Sequence, residues 1–158
     1  MNILSSQPPA SLTLTALSGI PLLNPGDNLV LIILQSLKQS NLSLENGDIL
    51  VIAQKVVSKA EGRYARLADI IPSERAFKLA EITGKDPRLV ELILSESREI
   101  VRHSKRTIQS SGVVVAENRQ GIVLANAGID SSNVGSESED EKVLLLPIDP
   151  DKSAGNIN

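Results

Sequence analysis

Three short segments of the chain carry residue types that a phosphate or metal site needs. In the first, Ser18 to Leu22, a glycine and a proline let the backbone turn sharply and present its own N–H and C=O groups to a ligand. An ordinary surface turn has the same composition. The residues alone therefore leave both interpretations open.

The second segment, Gln54 to Gly62, follows an aliphatic run directly and contains Lys55, Ser58 and Lys59. Ligands of open sheets tend to bind beyond the ends of the strands, where two lysines would meet the phosphates of a nucleotide. A pair of lysines whose ammonium groups are simply solvated is the alternative interpretation.

The third segment, Asn126 to Val134, is a loop that contains Gly128, Asp130 and Asn133. The carboxylate of Asp130 is the type of oxygen ligand that hard cations prefer. Gly128 lets the loop fold back, and Asn133 adds a neutral donor and acceptor. Asp and Asn also favour plain turns, so composition does not decide between a cation site and a turn.

Standard catalytic signatures are absent from the sequence. It contains no GxxxxGKS phosphate loop, no GxGxxG and no GxSxG. Without cysteine there are no disulfides, thiolate metal sites or cysteine nucleophiles. The single histidine, His103, lies among Arg102, Lys105 and Arg106, and this pattern predicts an exposed basic segment.

Composition argues against nucleic-acid and membrane partners. The net charge is −3, and Tyr64 and Phe77 are the only aromatic residues, so neither phosphate neutralisation nor base stacking is favoured. The longest apolar run, Leu29 to Leu34, is too short to span a bilayer. Residues 1–10 lack the pattern of a signal peptide. We therefore expect a soluble, cytoplasmic protein.

The first half of the chain predicts the elements that must position these segments. Residues 1–10 are expected to form a loose tail, and residues 11–17 alternate like a half-buried strand. Asp27 is placed to cap a helix from Asn28 to about Gln39, whose apolar Leu29 to Leu34 run suggests burial on more than one face. Ile49 to Ala53 predicts a strand covered on both sides.

The second half predicts two helices, a hairpin and a last strand. Ser73 and Gly84 bound the first helix, and Asp86-Pro87 open the second, with Leu89, Ile93 and Ile100 on its inner face. Residues 113–116 and 121–125 predict a hairpin, residues 143–146 a buried strand, and Ser153 the cap of a helix that the chain does not contain. This mixture predicts an irregular α+β fold, a mixed sheet with a few helices.

Several strings, taken together and in order, resemble the coenzyme F420-0:L-glutamate ligase family. They are GIPLL, GDILVIAQKVVSKAEGR, LADIIPSERA, GKDPRLVELIL, ANAGIDSSNV and LLLPIDPDKSA. VVSKAEGR and NAGIDSSNV are unusual strings, and their joint occurrence is specific. The resemblance covers the chain from about Leu12 to Ala154 and implies the fold of that family.

The resemblance also implies a reaction. Such ligases use GTP to phosphorylate a carboxylate of coenzyme F420-0, and the amine of L-glutamate then attacks the acyl phosphate. They require Mn²⁺ or Mg²⁺, with K⁺ assisting, and are homodimers. Divalent ions in such sites neutralise the charge of the transferring phosphoryl group.

The resemblance implies roles for individual residues but names no catalytic residue. A nucleotide contact is implied for each of the following: Gly19, Ile20, Pro21, Leu22, Gln54, Lys55, Lys59 and Asn133. For the four residues from Gly19 to Leu22 this contact is through the backbone. Asp130 corresponds to a metal ligand.

The resemblance further implies that residues 11–158 are the N-terminal lobe of such a ligase. The family chain continues with an Asp-Thr pair and a late Gln that complete the metal site, and we expect this lobe to be inactive by itself. Two alternatives remain open: a non-catalytic module that binds nucleotide or a partner, and a γ-glutamyl ligase that acts on a different acidic acceptor.

Overall fold

The computed structural model describes residues 11–130 and 141–157. In this part of the chain the helices are α1 (Leu29–Gln39), α2 (Gln54–Ala60), α3 (Glu74–Thr83), α4 (Pro87–Ser95) and α5 (Pro150–Ile157). The strands are β1 (Tyr64–Arg66), β2 (Ser97–His103), β3 (Val114–Asn118), β4 (Val123–Ala125) and β5 (Lys142–Leu144). Single 3₁₀ turns follow β1 and β4. The predicted α+β class is confirmed, and none of the described helices is long and apolar enough to cross a membrane.

Both sheets of the described chain are antiparallel. Strands β2, β3 and β4 form one sheet in that order, in which Ala116 of β3 lies between Ile100 and Leu124. The predicted hairpin is thereby confirmed as β3 and β4. Strands β1 and β5 form a two-stranded sheet in which Tyr64 pairs with Leu144.

Two apolar clusters stabilise the fold, which we call the sheet core and the α1 core. The sheet core joins α3 and α4 to alternate residues of β3, because strand side chains point alternately to opposite faces. It contains Leu67, Ala76, Leu79, Ala80, Val90, Leu92, Ile93, Val114, Ala116, Ala127, Ile129, Val143 and Leu145. The α1 core contains Leu23, Leu29, Ile33, Leu37 and Ala60.

Local capping chemistry was predicted correctly for α3 and α4. The Ser73 side chain accepts a hydrogen bond from the Ala76 N–H, and Gly84 ends α3 in the left-handed conformation with φ 67°. Asp86 caps α4 and Pro87 occupies its first turn. These elements are specified by neighbouring residues, so no tertiary information was needed to place them.

Two predicted strands are absent. Residues 11–17 and 49–53 form no strand, and within the described residues neither segment has a ladder partner. The alternating side chains are exposed: Leu12 is 84% and Leu14 85% exposed, and Ile49 and Val51 are 85% and 83% exposed. The prediction of a covered strand was wrong because an apolar pattern does not itself supply a pairing partner.

The helix that begins near Asn28 differs from its prediction in two respects. Asn28, not Asp27, is the cap, and its side chain accepts from the Leu31 N–H. The Asp27 carboxylate instead closes the preceding turn by accepting from the Asn24 N–H at 2.7 Å. Leu31 and Leu34 are exposed, so α1 buries only one face.

Two further corrections concern β2 and α5. The second helix ends at Ser95, so Ile100 belongs to β2, as does His103, which is exposed as expected. Ser153 lies inside α5, whose first turn is capped by the Asp149 carboxylate accepting from the Lys152 N–H at 2.9 Å. The predicted absence of this helix was therefore wrong.

Candidate functional site

The structure brings together one residue from each of two predicted segments. Lys55 lies in the first turn of α2, and Asp130 follows the 3₁₀ turn after β4. Their side chains form an ion pair between Nζ and Oδ2, and these side chains are 39% and 22% exposed. A cation and an anion far apart in sequence thus meet at a partly open position, accessible to a small ligand.

Asp130 is held in place by backbone hydrogen bonds to β5. Its N–H donates to the Leu144 carbonyl at 3.0 Å, and the Leu144 N–H donates to the Asp130 carbonyl at 2.8 Å. Ile129, directly before it, is buried in the sheet core. The position of the carboxylate is therefore determined by a strand pair and a core contact.

The turn that precedes Asp130 has an unusual backbone. Asn126, Ala127 and Gly128 all have positive φ, at 51°, 54° and 82°. A Cβ on Gly128 would lie 2.6 Å from a methyl carbon of Leu146, so the turn packs closely on the segment after β5. Non-glycine residues in this region cost on the order of 1–3 kcal/mol each and persist where the surrounding structure holds them. In the described part of the chain the buried Oδ1 of Asn126 has no hydrogen-bond partner.

Lys59 and Gln54 lie on the same helix as Lys55. Lys59 is one turn further along, on the same face as Lys55 because residues four apart are neighbours on a helix. Gln54 is exposed, and its Nε2 donates to the Ser58 hydroxyl at 3.0 Å. Lys55 and Lys59 therefore lie on one face of α2, and the Lys55 ammonium group contacts Asp130.

The predicted backbone site, Gly19 to Leu22, lies against the C-terminal end of α1. The Ser36 hydroxyl donates to the Ser18 carbonyl at 2.5 Å, and a Cβ on Gly19 would meet Gln39 Oε1 at 2.8 Å. The turn that follows reaches α2, because the Gly26 N–H donates to the Ala60 carbonyl at 2.8 Å. Gly19, Ile20, Pro21 and Leu22 are themselves exposed.

A polar cavity lies between the β3–β4 turn, the end of α4 and the segment after β5, and it was not predicted from the sequence. Its volume is about 130 Å³, and it is lined by Arg63, Glu96, Asn118, Arg119, Gln120, Ala127, Leu146, Pro147 and Ile148. From the sequence, Arg119 and Gln120 were interpreted only as the turn of a hairpin. The sequence did contain one signal for this cavity. Arg63 follows the end of α2 and Arg119 follows the end of β3, so each turn carries a positive charge.

Comparison with known proteins decides the family. The profile described as F420-0:Gamma-glutamyl ligase matches residues 19–158. The chain belongs to this ligase family. It is 45% identical over 146 residues to the coenzyme F420:L-glutamate ligase of Methanothermobacter thermautotrophicus, covering 92% of this chain and 54% of that protein. It is 46% identical over 133 residues to the Methanopyrus kandleri ligase of the same name, covering 84% and 47%.

The Methanocaldococcus jannaschii relative, also named coenzyme F420:L-glutamate ligase, is 42% identical over 114 residues, which is 72% of this chain and 41% of that protein. The chain thus spans about half the length of the curated relatives that it matches. The residues at positions 55 and 130, far apart in the matched sequence, are neighbours in space.

Two expectations for this member of the F420-0:Gamma-glutamyl ligase family remain predictions. Asn133 lies outside the described residues, so its nucleotide contact has no structural account. The described residues contain no group of three or more His, Cys, Asp or Glu side chains that would hold a metal ion. Since Asp130 supplies one carboxylate and hard cations need several oxygen ligands, these residues do not form a complete metal site.

Proposed function

We propose that this chain is part of a GTP-dependent ligase that joins L-glutamate to coenzyme F420-0. The observation that carries the proposal is the Lys55–Asp130 ion pair, which brings Asp130 of the NAGIDSSNV string to the residue directly before the VVSKAEGR string. The relatives' names support glutamate and the F420 cofactor as substrates. The bond that the proposed reaction forms is an amide.

In this proposal the ammonium groups of Lys55 and Lys59 face the nucleotide phosphates. Lysine suits that role because it is a compact charge on a flexible stem. Lys55 also neutralises Asp130, and its 39% exposed side chain leaves room to turn from the carboxylate toward a phosphate. Gly19 to Leu22 and Gln54 are proposed as further nucleotide contacts, the former through the backbone.

The proposed reaction has two steps. The γ-phosphoryl group of GTP is transferred to a carboxylate oxygen of the acceptor, which gives an acyl phosphate and GDP. The free amine of glutamate then attacks the acyl carbon, the C–O bond to phosphate breaks, and the amine loses a proton. A divalent cation supplies charge neutralisation when it is bound. We propose Asp130 as one ligand of a Mn²⁺ or Mg²⁺ ion and assign no other ligand and no K⁺ site.

A chimera tests this function directly. The chain would replace the matching half of the Methanothermobacter thermautotrophicus relative, and labelled glutamate incorporation into F420-0 would be measured with GTP and MnCl₂. We expect GTP-dependent product from the chimera and none from the 158-residue chain alone, which should bind GTP only weakly. A folded chimera that forms no product, or forms it equally without GTP, contradicts the proposal.

The half-length match favours one alternative for the isolated chain, a module that binds nucleotide or a partner without catalysis. Equally tight GTP binding by the chain and by the chimera would support that module. Product formed only with another acidic acceptor would instead identify a γ-glutamyl ligase of different specificity.

A further inference from the structure

We propose that the polar cavity lined by Arg63, Glu96 and Arg119 binds L-glutamate. The inference rests on the proposed function, because the relatives' names provide the amino acid, but the site is assigned from the structure alone. It lies between the β3–β4 turn, the end of α4 and the segment that follows β5. No residue of the predicted nucleotide or metal site lines it.

The size of the cavity matches an amino acid. Its volume is about 130 Å³. One water-sized group occupies on the order of 10–15 Å³ on this measure, so the cavity holds about ten such groups, close to the non-hydrogen atoms of glutamate. Sites for drug-sized ligands are larger, roughly 300–1,000 Å³. The cavity is therefore closer in size to an amino acid than to a nucleotide.

The charges of the lining match those of glutamate. Arg63 and Arg119 provide two guanidinium groups for the two carboxylates of the ligand, and Glu96 provides a carboxylate for its ammonium group. Planar guanidinium groups bind carboxylates through paired N–H donors. A neutral or purely anionic ligand would use only part of this arrangement.

Both arginines are positioned by protein contacts that leave donors available. Arg63 donates from Nε to the Leu146 carbonyl at 2.8 Å and from Nη2 to Glu96 at 3.3 Å. Arg119 donates from Nε to the Ser95 carbonyl at 2.8 Å. Because each of these bonds uses only part of the donor fork, the remaining N–H groups are free to contact a carboxylate.

The turn that carries Arg119 is rigid. Asn118 is 3% exposed, and its Oδ1 accepts hydrogen bonds from the Gln120 and Ile122 N–H groups at 3.0 and 2.9 Å. Gln120 Nε2 donates to the Pro147 carbonyl at 2.5 Å, which ties the turn across the cavity to the segment after β5. A lining held in this way loses little conformational entropy on binding.

Two lining residues connect the cavity to the segments that hold Asp130. Ala127 lines it and belongs to the strained turn before Asp130, and Leu146 lines it shortly after Leu144, which pairs with Asp130. The same strand pair therefore positions the cavity and the carboxylate. The cavity and the Lys55–Asp130 pair thus share two supporting segments, residues 126–130 and the chain that follows Leu144.

Titration calorimetry and amide NMR on the intact chain test the site, with L-glutamate as the probe. We expect L-glutamate to shift the Arg119 and Gln120 signals, and Arg119→Gln to weaken binding at least about 10-fold, since the substitution removes a charge-assisted hydrogen bond to a ligand carboxylate. Arg119→Lys keeps the charge and should give a smaller loss. Arg102→Gln, at an exposed position on β2, is the matched control and should bind as the unmodified chain does.

Further ligands separate glutamate recognition from simple anion binding. L-Glutamine, which lacks one carboxylate, and glutarate, which lacks the amine, should both bind more weakly than L-glutamate. Inorganic phosphate binding as tightly as L-glutamate, signals that do not move, or equal affinity in Arg119→Gln would each overturn the proposal. In that case turnover by the chimera would still support the ligase function. Glutamate binding that Arg119→Gln abolishes, without any turnover, would refute the ligase function and retain the site.

Discussion

At the scale of single residues, the Lys55–Asp130 pair is informative because folding does not require it. Ion pairs between exposed side chains contribute about 0–1 kcal/mol, and both of these side chains are partly exposed. The strained turn that positions Asp130 costs free energy, which the packing of Ala127 and Ile129 in the sheet core offsets. A costly backbone that presents a weakly stabilising carboxylate points to a functional role for Asp130.

We expect Asp130→Asn in the active chimera to reduce turnover without a large loss of stability. Turnover should fall at least about 10-fold. Changing a residue that only supports a metal ligand already produces a loss of this size. The free energy of unfolding should change by no more than about 1 kcal/mol, because partly exposed ion pairs contribute little to stability. Glutamate incorporation and urea unfolding measure the two quantities.

Asp69→Asn is the control, since it removes another exposed carboxylate, paired with Arg66 at 3.8 Å, outside the candidate site. Unchanged turnover in Asp130→Asn at ordinary Mn²⁺ concentration would assign Asp130 to the turn alone. Equal losses in both variants would show a general effect of surface charge.

The residues of the site were predictable to different degrees. Lys55 and Asp130 were identified through the family strings, whereas their contact required the fold, because no local rule joins α2 to the end of β4. Arg63 and Arg119 were missed because their local sequence does not mark them as ligand-binding residues. Each lies at a turn with ordinary local chemistry, and only the packing of three elements makes them face one cavity.

At the scale of elements, prediction succeeded where neighbouring residues determine the structure. The caps of α3 and α4 and the β3–β4 hairpin depend on local hydrogen bonds and turn residues. Strand β2 was missed because its pairing shifts register between Ser97 and Glu99 and again between Ile100 and Arg102. Such irregularities break the two-residue alternation that identifies a strand in a sequence.

The cap of α4 predicts a pH-dependent contribution to stability. A hydrogen bond from the Arg88 side chain is the main cause that lowers the pKa of Asp86, and the carboxylate also accepts from the Arg88 N–H at 2.8 Å. Since its folded pKa lies below the unfolded value of about 3.9, the carboxylate stabilises the fold above that pH. This contribution is lost as the pH falls through the folded pKa.

We therefore expect Asp86→Ala to lower the free energy of unfolding by roughly 0.5–2 kcal/mol at pH 7, the usual range for a lost cap. The difference from the unmodified chain should shrink as the pH falls below about 4. Urea unfolding at pH 7 and pH 3 measures it. Glu81→Ala, at an exposed position on α3, is the control. A difference for Asp86→Ala that stays equal at both pH values would contradict the role of the carboxylate charge.

At the scale of the whole molecule, the candidate site lies where the two cores meet. Helix α2 packs into the α1 core through Ala60, while Asp130 follows Ile129 of the sheet core. The Lys55–Asp130 pair therefore joins the two cores. A site at such a junction depends on the relative packing of both cores, which a sequence pattern does not encode.

The segments wrongly predicted as strands show the same limit at this scale. Residues 11–17 and 49–53 have strand patterns, yet a strand also needs a neighbour to receive its hydrogen bonds. Within the described residues neither segment finds one. An apolar alternation alone therefore does not predict a strand.

The last prediction is that the chain self-associates, as the family resemblance implies for a homodimer. Val51 and Ile49 point outward from an unpaired extended segment and are 83% and 85% exposed, and soluble monomers rarely leave large apolar patches uncovered. We expect a dimer, the commonest closed assembly, and Val51→Lys should weaken it at least about 10-fold because an ammonium group resists burial. Sedimentation velocity over a range of concentrations measures the equilibrium, with Ser43→Lys, at a nearby exposed position, as the control. A monomer at high concentration, or the same loss in both variants, would show that this segment does not form the interface.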